Sequence, residues 1–174
     1  MSKLKAEVIK YSKKLNITNL SALRSGNISV RANEKGVEGF YITPSGMKYS
    51  SLRIKDIVFV SLKGIFDKKK NKPSSEWRFH KDIYVNKKEA KAIVHAHSTC
   101  ATAVSSHKKN VPAFHYMVAV AGGEDLKCSK YATFGTKQLS NNIIKALKNR
   151  SACLIANHGQ VAFGTNLDKA FELA

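Results

Sequence analysis

The tightest constraint in this 174-residue chain is the stretch Ala92-Ile93-Val94-His95-Ala96-His97. Its β-branched lead-in belongs to a buried strand, and side chains along a strand alternate faces. His95 and His97 therefore point to the same side, about 6 to 7 Å apart along the backbone, and their imidazole tips can converge on one ion while Ala96 faces away. Two histidines ending a strand at the surface are the competing reading. Upstream, Ser74-Ser75-Glu76-Trp77-Arg78-Phe79-His80 supplies a carboxylate, and Asn157-His158-Gly159 supplies a third histidine far downstream. One carboxylate with three histidines reads as a metal site with a base beside it.

The length suits one domain, and 43% apolar with 24% charged residues is the balance of an ordinary soluble globular protein. No apolar run approaches the roughly 20 residues that span a bilayer, and Met1-Ser2-Lys3-Leu4-Lys5 leads into an amphipathic pattern instead of a signal-peptide core, so no membrane role and a cytoplasmic location are expected. Cys100, Cys128 and Cys153 are odd in number and scattered, which argues against a disulfide framework and against a cysteine-based zinc site. The formal charge of +18 raises the question of nucleic acid. However, 25 of the 30 basic residues are lysines spread through the chain, with one dense run at Lys68-Lys69-Lys70-Asn71-Lys72, and no nucleic-acid-binding motif accompanies them. The charge reads as a solvated coat whose field draws phosphorylated anions toward a cleft.

Along the chain, Leu4, Val8, Tyr11 and Leu15 fall at helical spacing. Residues 25–31 and 39–42 form a hairpin around Glu34-Lys35-Gly36, and a further strand covers residues 57–62. Thr43-Pro44-Ser45-Gly46 breaks the second strand into a turn whose hydroxyls and open backbone can receive an anion. Pro73-Ser74-Ser75 signals a helix start. Either a serine caps the helix with Glu76 in its first turn, or the same amides and hydroxyls hold a phosphate while Glu76 leans into a cleft. Residues 98–105 read as a short helix and residues 138–147 as a longer one. A buried strand over residues 152–159 ends in His158, a short strand covers 161–163, and Thr165 or Asn166 caps a last helix over 167–174. His107 is expected to be exposed, and Tyr116, in an apolar stretch, is either core or chemically active. Helices between strands and an early hairpin predict an α/β protein: a single domain with a central, largely antiparallel sheet between helical layers.

These segments resemble the class II aldolase/adducin family. The matches are Gly26-Asn27-Ile28-Ser29-Val30-Arg31, Thr43-Pro44-Ser45-Gly46, Ser74 through His80, His95-Ala96-His97, Phe114-His115-Tyr116-Met117, Tyr131 through Thr136 and Asn157-His158-Gly159, in order across nearly the whole chain. The resemblance implies that His95, His97 and His158 bind a divalent metal, usually Zn2+, with Mn2+ or Co2+ as alternatives. It implies that Glu76 is the acid/base, that Asn27, Ser45, Gly46, Ser74 and Ser75 hold a substrate phosphate, and that Tyr116 acts near the reacting carbons. It further implies a cyclic homotetramer with sites at subunit interfaces. Family aldolases continue into a tail carrying a further tyrosine; this sequence stops first, and a natural continuation is expected.

The implied reaction is cleavage of a small phosphorylated sugar, a ketose 1-phosphate such as L-fuculose 1-phosphate, to dihydroxyacetone phosphate and an aldehyde such as L-lactaldehyde through a metal-stabilised enediolate. The alternative is an aldolase or dehydratase for 5-methylthioribulose 1-phosphate or a related deoxypentulose phosphate. Epimerase relatives generally carry an aspartate where Glu76 stands. A non-catalytic interaction module like the adducin head lacks the metal histidines, which are all present here.

Overall fold

The structure, a computed structural model, describes residues 2–174. Its elements run α1 (Ser2–Ile17), β1 (Asn27–Glu34), β2 (Val37–Ile42), β3 (Val58–Ser61), α2 (Trp77–Asn86), β4 (Ala92–Ala96), α3 (Thr99–Ser106), β5 (Cys128–Ser129), α4 (Lys137–Ala146), β6 (Ala152–Ile155), β7 (Gly159–Gly164) and α5 (Leu167–Leu173). The strands make one seven-stranded sheet in the order β3-β2-β1-β4-β7-β6-β5, and every pairing is antiparallel except β5 with β6. This is the expected α/β fold with its largely antiparallel sheet. Among the described residues no helix is long and apolar enough to cross a membrane.

Alternation along the strands feeds two apolar layers. On one face Phe79 and Ile83 of α2 and Leu139 and Ile143 of α4 pack on Phe40, Ile93, Val161 and Phe163. On the other, Val8 and Leu15 of α1 and Leu167 of α5 cover Ile28, Val30 and Val94. Each such fully buried side chain contributes about 1.5–3 kcal/mol relative to exposure. The β1–β2 hairpin closes on Lys35 and Gly36, both at positive φ (52° and 82°), the pattern of the two-residue turn whose twist matches its strands.

Two local expectations change, and one strand was not expected. The strand expected over 152–159 stops at Ile155, because Asn157 takes a left-handed conformation (φ 56°) and turns the chain directly into β7. Helix α2 starts at Trp77 with Glu76 itself as N-cap, and no side chain caps it; Ser74 Oγ instead accepts the Glu76 backbone N–H at 3.3 Å. Strand β5, two residues long and parallel to β6, has no periodicity for a sequence reading to find. The expected cap on α5 is Asn166, whose side chain accepts the Lys169 N–H at 2.8 Å.

Candidate active site

The register of β1 against β4 sets Asn27 opposite His95. Ile28, Val30, Val94 and Ala96 face the α1 layer, so the intervening residues Asn27, Ser29 and His95 face α2. His95 is completely buried, and His97 follows β4 directly with its backbone N–H on Ser21 Oγ at 2.9 Å. His158 sits in the β6–β7 turn. A side chain at the next residue, Gly159, would run into the Ala96 carbonyl oxygen and come within 3.1 Å of the His97 ring, so only glycine lets this turn close against the end of β4. Glu76, at the N-cap of α2, holds φ −98° and ψ 9°, the sparsely populated bridge region where many active-site residues lie.

Four side chains meet there. His95 Nε2 and His97 Nε2 are 2.8 Å apart, His95 Nε2 is 3.0 Å from Glu76 Oε2, and His158 Nε2 is 3.3 Å from Glu76 Oε1. One ligand atom from each of the four lies within 4.8 Å of all the others. The Nδ1–H of His95 donates to the backbone carbonyl of Gln160 at 2.8 Å, which turns the Nε2 lone pair toward the cluster, as an outer-shell partner does for a metal ligand. Two facing imidazole nitrogens at this distance repel unless a proton or a cation lies between them. Glu76 Oε1 is buried and receives no hydrogen bond. Three imidazole nitrogens are a donor set that fits a divalent transition metal, and the orphaned carboxylate oxygen beside them is placed as a base next to it.

Electrostatics follow the geometry. Burial pushes the His97 and His158 rings down to about 3 and about 4, with neighbouring His95 adding to the effect, so both stay neutral and available as ligands. Burial also opposes charge on His95, but the Glu76 carboxylate outweighs it and raises the ring's pKa. For Glu76 burial works upward, and His95, His158 and His97 together overcome it and hold the carboxyl well below the usual range.

A cavity of about 360 Å³ opens over this cluster. Its wall carries Ser45 and Gly46 beside Ser74 and Ser75, because the two loops are strapped together: Ser45 N–H donates to Lys72 O and Ser74 N–H to Thr43 O, each at 3.0 Å. Asn27 lines the cavity as well, but its amide donates to Ser74 Oγ at 3.0 Å and Glu76 Oε2 at 3.1 Å, so its hydrogens are already directed at the cluster. Of the ten residues singled out from the sequence, His95 lies beneath the cavity in contact with Glu76. Tyr116 alone is not brought near: it begins a 3-10 turn, Tyr116–Ala121, is 79% exposed, and lines none of this cavity.

Two contributors escaped the sequence reading. Gln160 acts through its carbonyl, which no residue type betrays. Arg24 stands at the cavity with its Nη1 donating to Gly46 O at 3.0 Å. The preceding Leu23 is left-handed (φ 53°), unusual for a leucine, and Asn16 Nδ2 ties down Ser21 O and Leu23 O at 2.8 and 3.1 Å. The available signal was an arginine two residues before Gly26-Asn27, in a chain whose cations are nearly all lysine.

A sequence profile described as Class II Aldolase and Adducin N-terminal domain matches residues 6–174. The chain belongs to this family. A 5-methylthioribulose-1-phosphate/5-deoxyribulose-1-phosphate aldolase of Rhodospirillum rubrum is 42% identical over 171 residues, covering 98% of this chain and 75% of the relative. An L-fuculose phosphate aldolase of Escherichia coli is 42% identical over 173 residues, 99% of this chain and 78% of the relative. A solved structure of an L-fuculose 1-phosphate aldolase superposes with a TM-score of 0.92 at 41% identity, covering 99% of this chain and 80% of that one. The chain is a class II aldolase; two relatives of equal identity bear the names of three different sugar phosphates between them.

Proposed function

We propose that this class II aldolase cleaves a ketose 1-phosphate to dihydroxyacetone phosphate and an aldehyde, with L-fuculose 1-phosphate as the substrate and L-lactaldehyde as the second product. The observation that carries the reading is the convergence of His95, His97 and His158 with Glu76 at the foot of a cavity walled by paired serine loops. The three histidines would hold a divalent ion, Zn2+ by preference. Bound there, such an ion supplies Lewis-acid polarisation of the substrate carbonyl and charge stabilisation as the carbon–carbon bond breaks.

The chain's own groups do the rest. Ser45, Gly46, Ser74 and Ser75 would receive the phosphate, just ahead of the positive end of α2, and Asn27 would steady Ser74 beneath it. In cleavage, the substrate hydroxyl loses its proton as its carbon becomes the aldehyde. The bonding pair stays with the triose, whose reacting carbon is then protonated. Glu76 is the group in reach to carry that proton, as acid and as base. Tyr116 is assigned to the reacting carbons of a neighbouring subunit's site. Exposure of Phe114, Tyr116, Met117 and Val120 together favours such a homotetramer. A cytoplasmic location and no nucleic-acid partner belong to the same reading.

The second reading, cleavage of 5-methylthioribulose 1-phosphate or 5-deoxyribulose 1-phosphate, is favoured by the Rhodospirillum rubrum relative. Supplying the three sugar phosphates separately to zinc-loaded protein and measuring triose phosphate release decides between them. The sugar with the highest kcat/KM names the substrate, and release from none of them removes the reading.

Arg24 gives an independent check on the phosphate pocket. Arg24→Ala should raise KM about tenfold and leave kcat nearly unchanged, because the guanidinium binds substrate and transition state alike. Equal KM values in steady-state kinetics would detach Arg24 from the pocket.

A further inference from the structure

His80 belongs to the motif that supplies Glu76, yet no step above uses it. It is fully buried on α2, and both ring nitrogens are engaged. Nδ1 lies 2.7 Å from Ser29 Oγ, Nε2 meets Asn27 Oδ1, and Ser29 Oγ is 2.8 Å from Tyr84 OH.

Every proton in this chain of contacts has one possible direction. The Asn27 amide nitrogen must face Glu76 Oε2, because the reverse orientation would set an amide oxygen against a carboxylate oxygen. Asn27 Oδ1 then has to accept, so His80 carries its proton on Nε2. His80 Nδ1 is left as an acceptor, Ser29 spends its only hydrogen there, and Tyr84 donates to Ser29. Burial, with His95 nearby, pushes the His80 ring down to about 3, which keeps this neutral form. A fully satisfied buried network of this kind fixes orientation, whereas an apolar core would fill the same space without it.

At the far end, the two oxygens of Glu76 are unlike. Oε2 takes the Asn27 hydrogen and contacts His95, while Oε1 is buried beside His158 without a hydrogen bond. We infer that His80 is a positioning residue: acting through Asn27 it occupies Oε2 and turns Oε1 to the substrate as the atom that takes up and returns the proton. This rests on the aldolase reading, in which Glu76 moves a proton on the reacting carbon of the triose. The proton passes to Oε1 and back to carbon, with no other reagent consumed.

The test follows solvent deuterium into dihydroxyacetone phosphate by NMR, alongside kcat, KM and metal content, for His80→Leu and His80→Gln. A glutamine amide nitrogen can take the place of Nε2–H and donate to Asn27, whereas leucine cannot. His80→Leu should exchange deuterium at least about tenfold more slowly, with kcat falling equally, KM within about twofold and metal unchanged, and His80→Gln should restore most of the loss. Wild-type exchange in His80→Leu, or a glutamine variant no faster than leucine, overturns the inference. If the leucine protein does not fold, His80→Asn, too short to reach Asn27, takes its place in the comparison. Nitrogen-15 NMR of the wild type should find His80 neutral and protonated on Nε2; an Nδ1–H form or an imidazolium also overturns it. That spectrum is independent of turnover, so a protein that neither exchanges nor cleaves would remove the aldolase reading and still leave the His80 assignment to be judged on its own.

Discussion

Glu76→Gln is expected to leave metal content at the wild-type level and to lower kcat by about 10²–10⁴-fold, the range a positioned general acid/base supplies. Glutamine keeps the size and the hydrogen-bonding reach of glutamate, so its amide oxygen can accept the Asn27 hydrogen that Glu76 Oε2 accepts at 3.1 Å in the native chain. What it loses is the ability to carry a proton. Because the binding contacts are spared, KM should change little and the loss should appear in kcat. Elemental analysis paired with a triose-release assay checks both halves. Turnover at the native rate would take Glu76 out of the chemistry altogether.

His95→Ala should act differently, removing the metal and the activity together. His95 is fully buried, its Nε2 contacts both His97 and Glu76, and its ring is aimed by the Gln160 carbonyl. Loss of an outer hydrogen-bond partner alone weakens metal sites about 10–100-fold, and loss of a ligand exceeds that. The change also leaves Glu76 buried with a partner missing and opens a void beside Phe79, whose ring packs edge-on to His95 at 5.4 Å, so stability should fall by about 2–4 kcal/mol. Metal titration followed by isothermal calorimetry measures the first effect and urea unfolding the second. A His95→Ala protein that binds zinc with native affinity would remove His95 from the ligand set. Read together, the two substitutions separate proton transfer from metal binding, since one is expected to spare the ion and the other to lose it.

Several features of this site were legible before any coordinates. The His95/His97 pair follows from alternation along His95-Ala96-His97, and their Nε2 atoms do converge, at 2.8 Å. The turn at Thr43-Pro44-Ser45-Gly46 and the helix start signalled by Pro73-Ser74-Ser75 were readable from proline, serine and glycine, and both contribute to the cavity wall. Misreadings clustered where geometry depends on a single backbone angle or on a partner far away. Asn157 breaks a strand through its own φ, and Glu76 became the N-cap because its side chain is drawn to the histidines instead of the helix amides. Tyr116 could be assigned a role only by resemblance, and within one chain it faces solvent.

Most of the elements, the sheet-facing side of the longer strands and the residue types able to bind a metal could be read from the chain, because these depend on periods of two and 3.6 residues and on the chemistry of single side chains. Tertiary packing sets Asn27 opposite His95, brings Glu76 and His158 to the end of β4 from α2 and from the β6–β7 turn, and places His80 against Asn27. Those relations join residues tens of positions apart. They are set by which apolar faces must be buried against one another, a condition that the whole chain satisfies at once and that no local stretch contains.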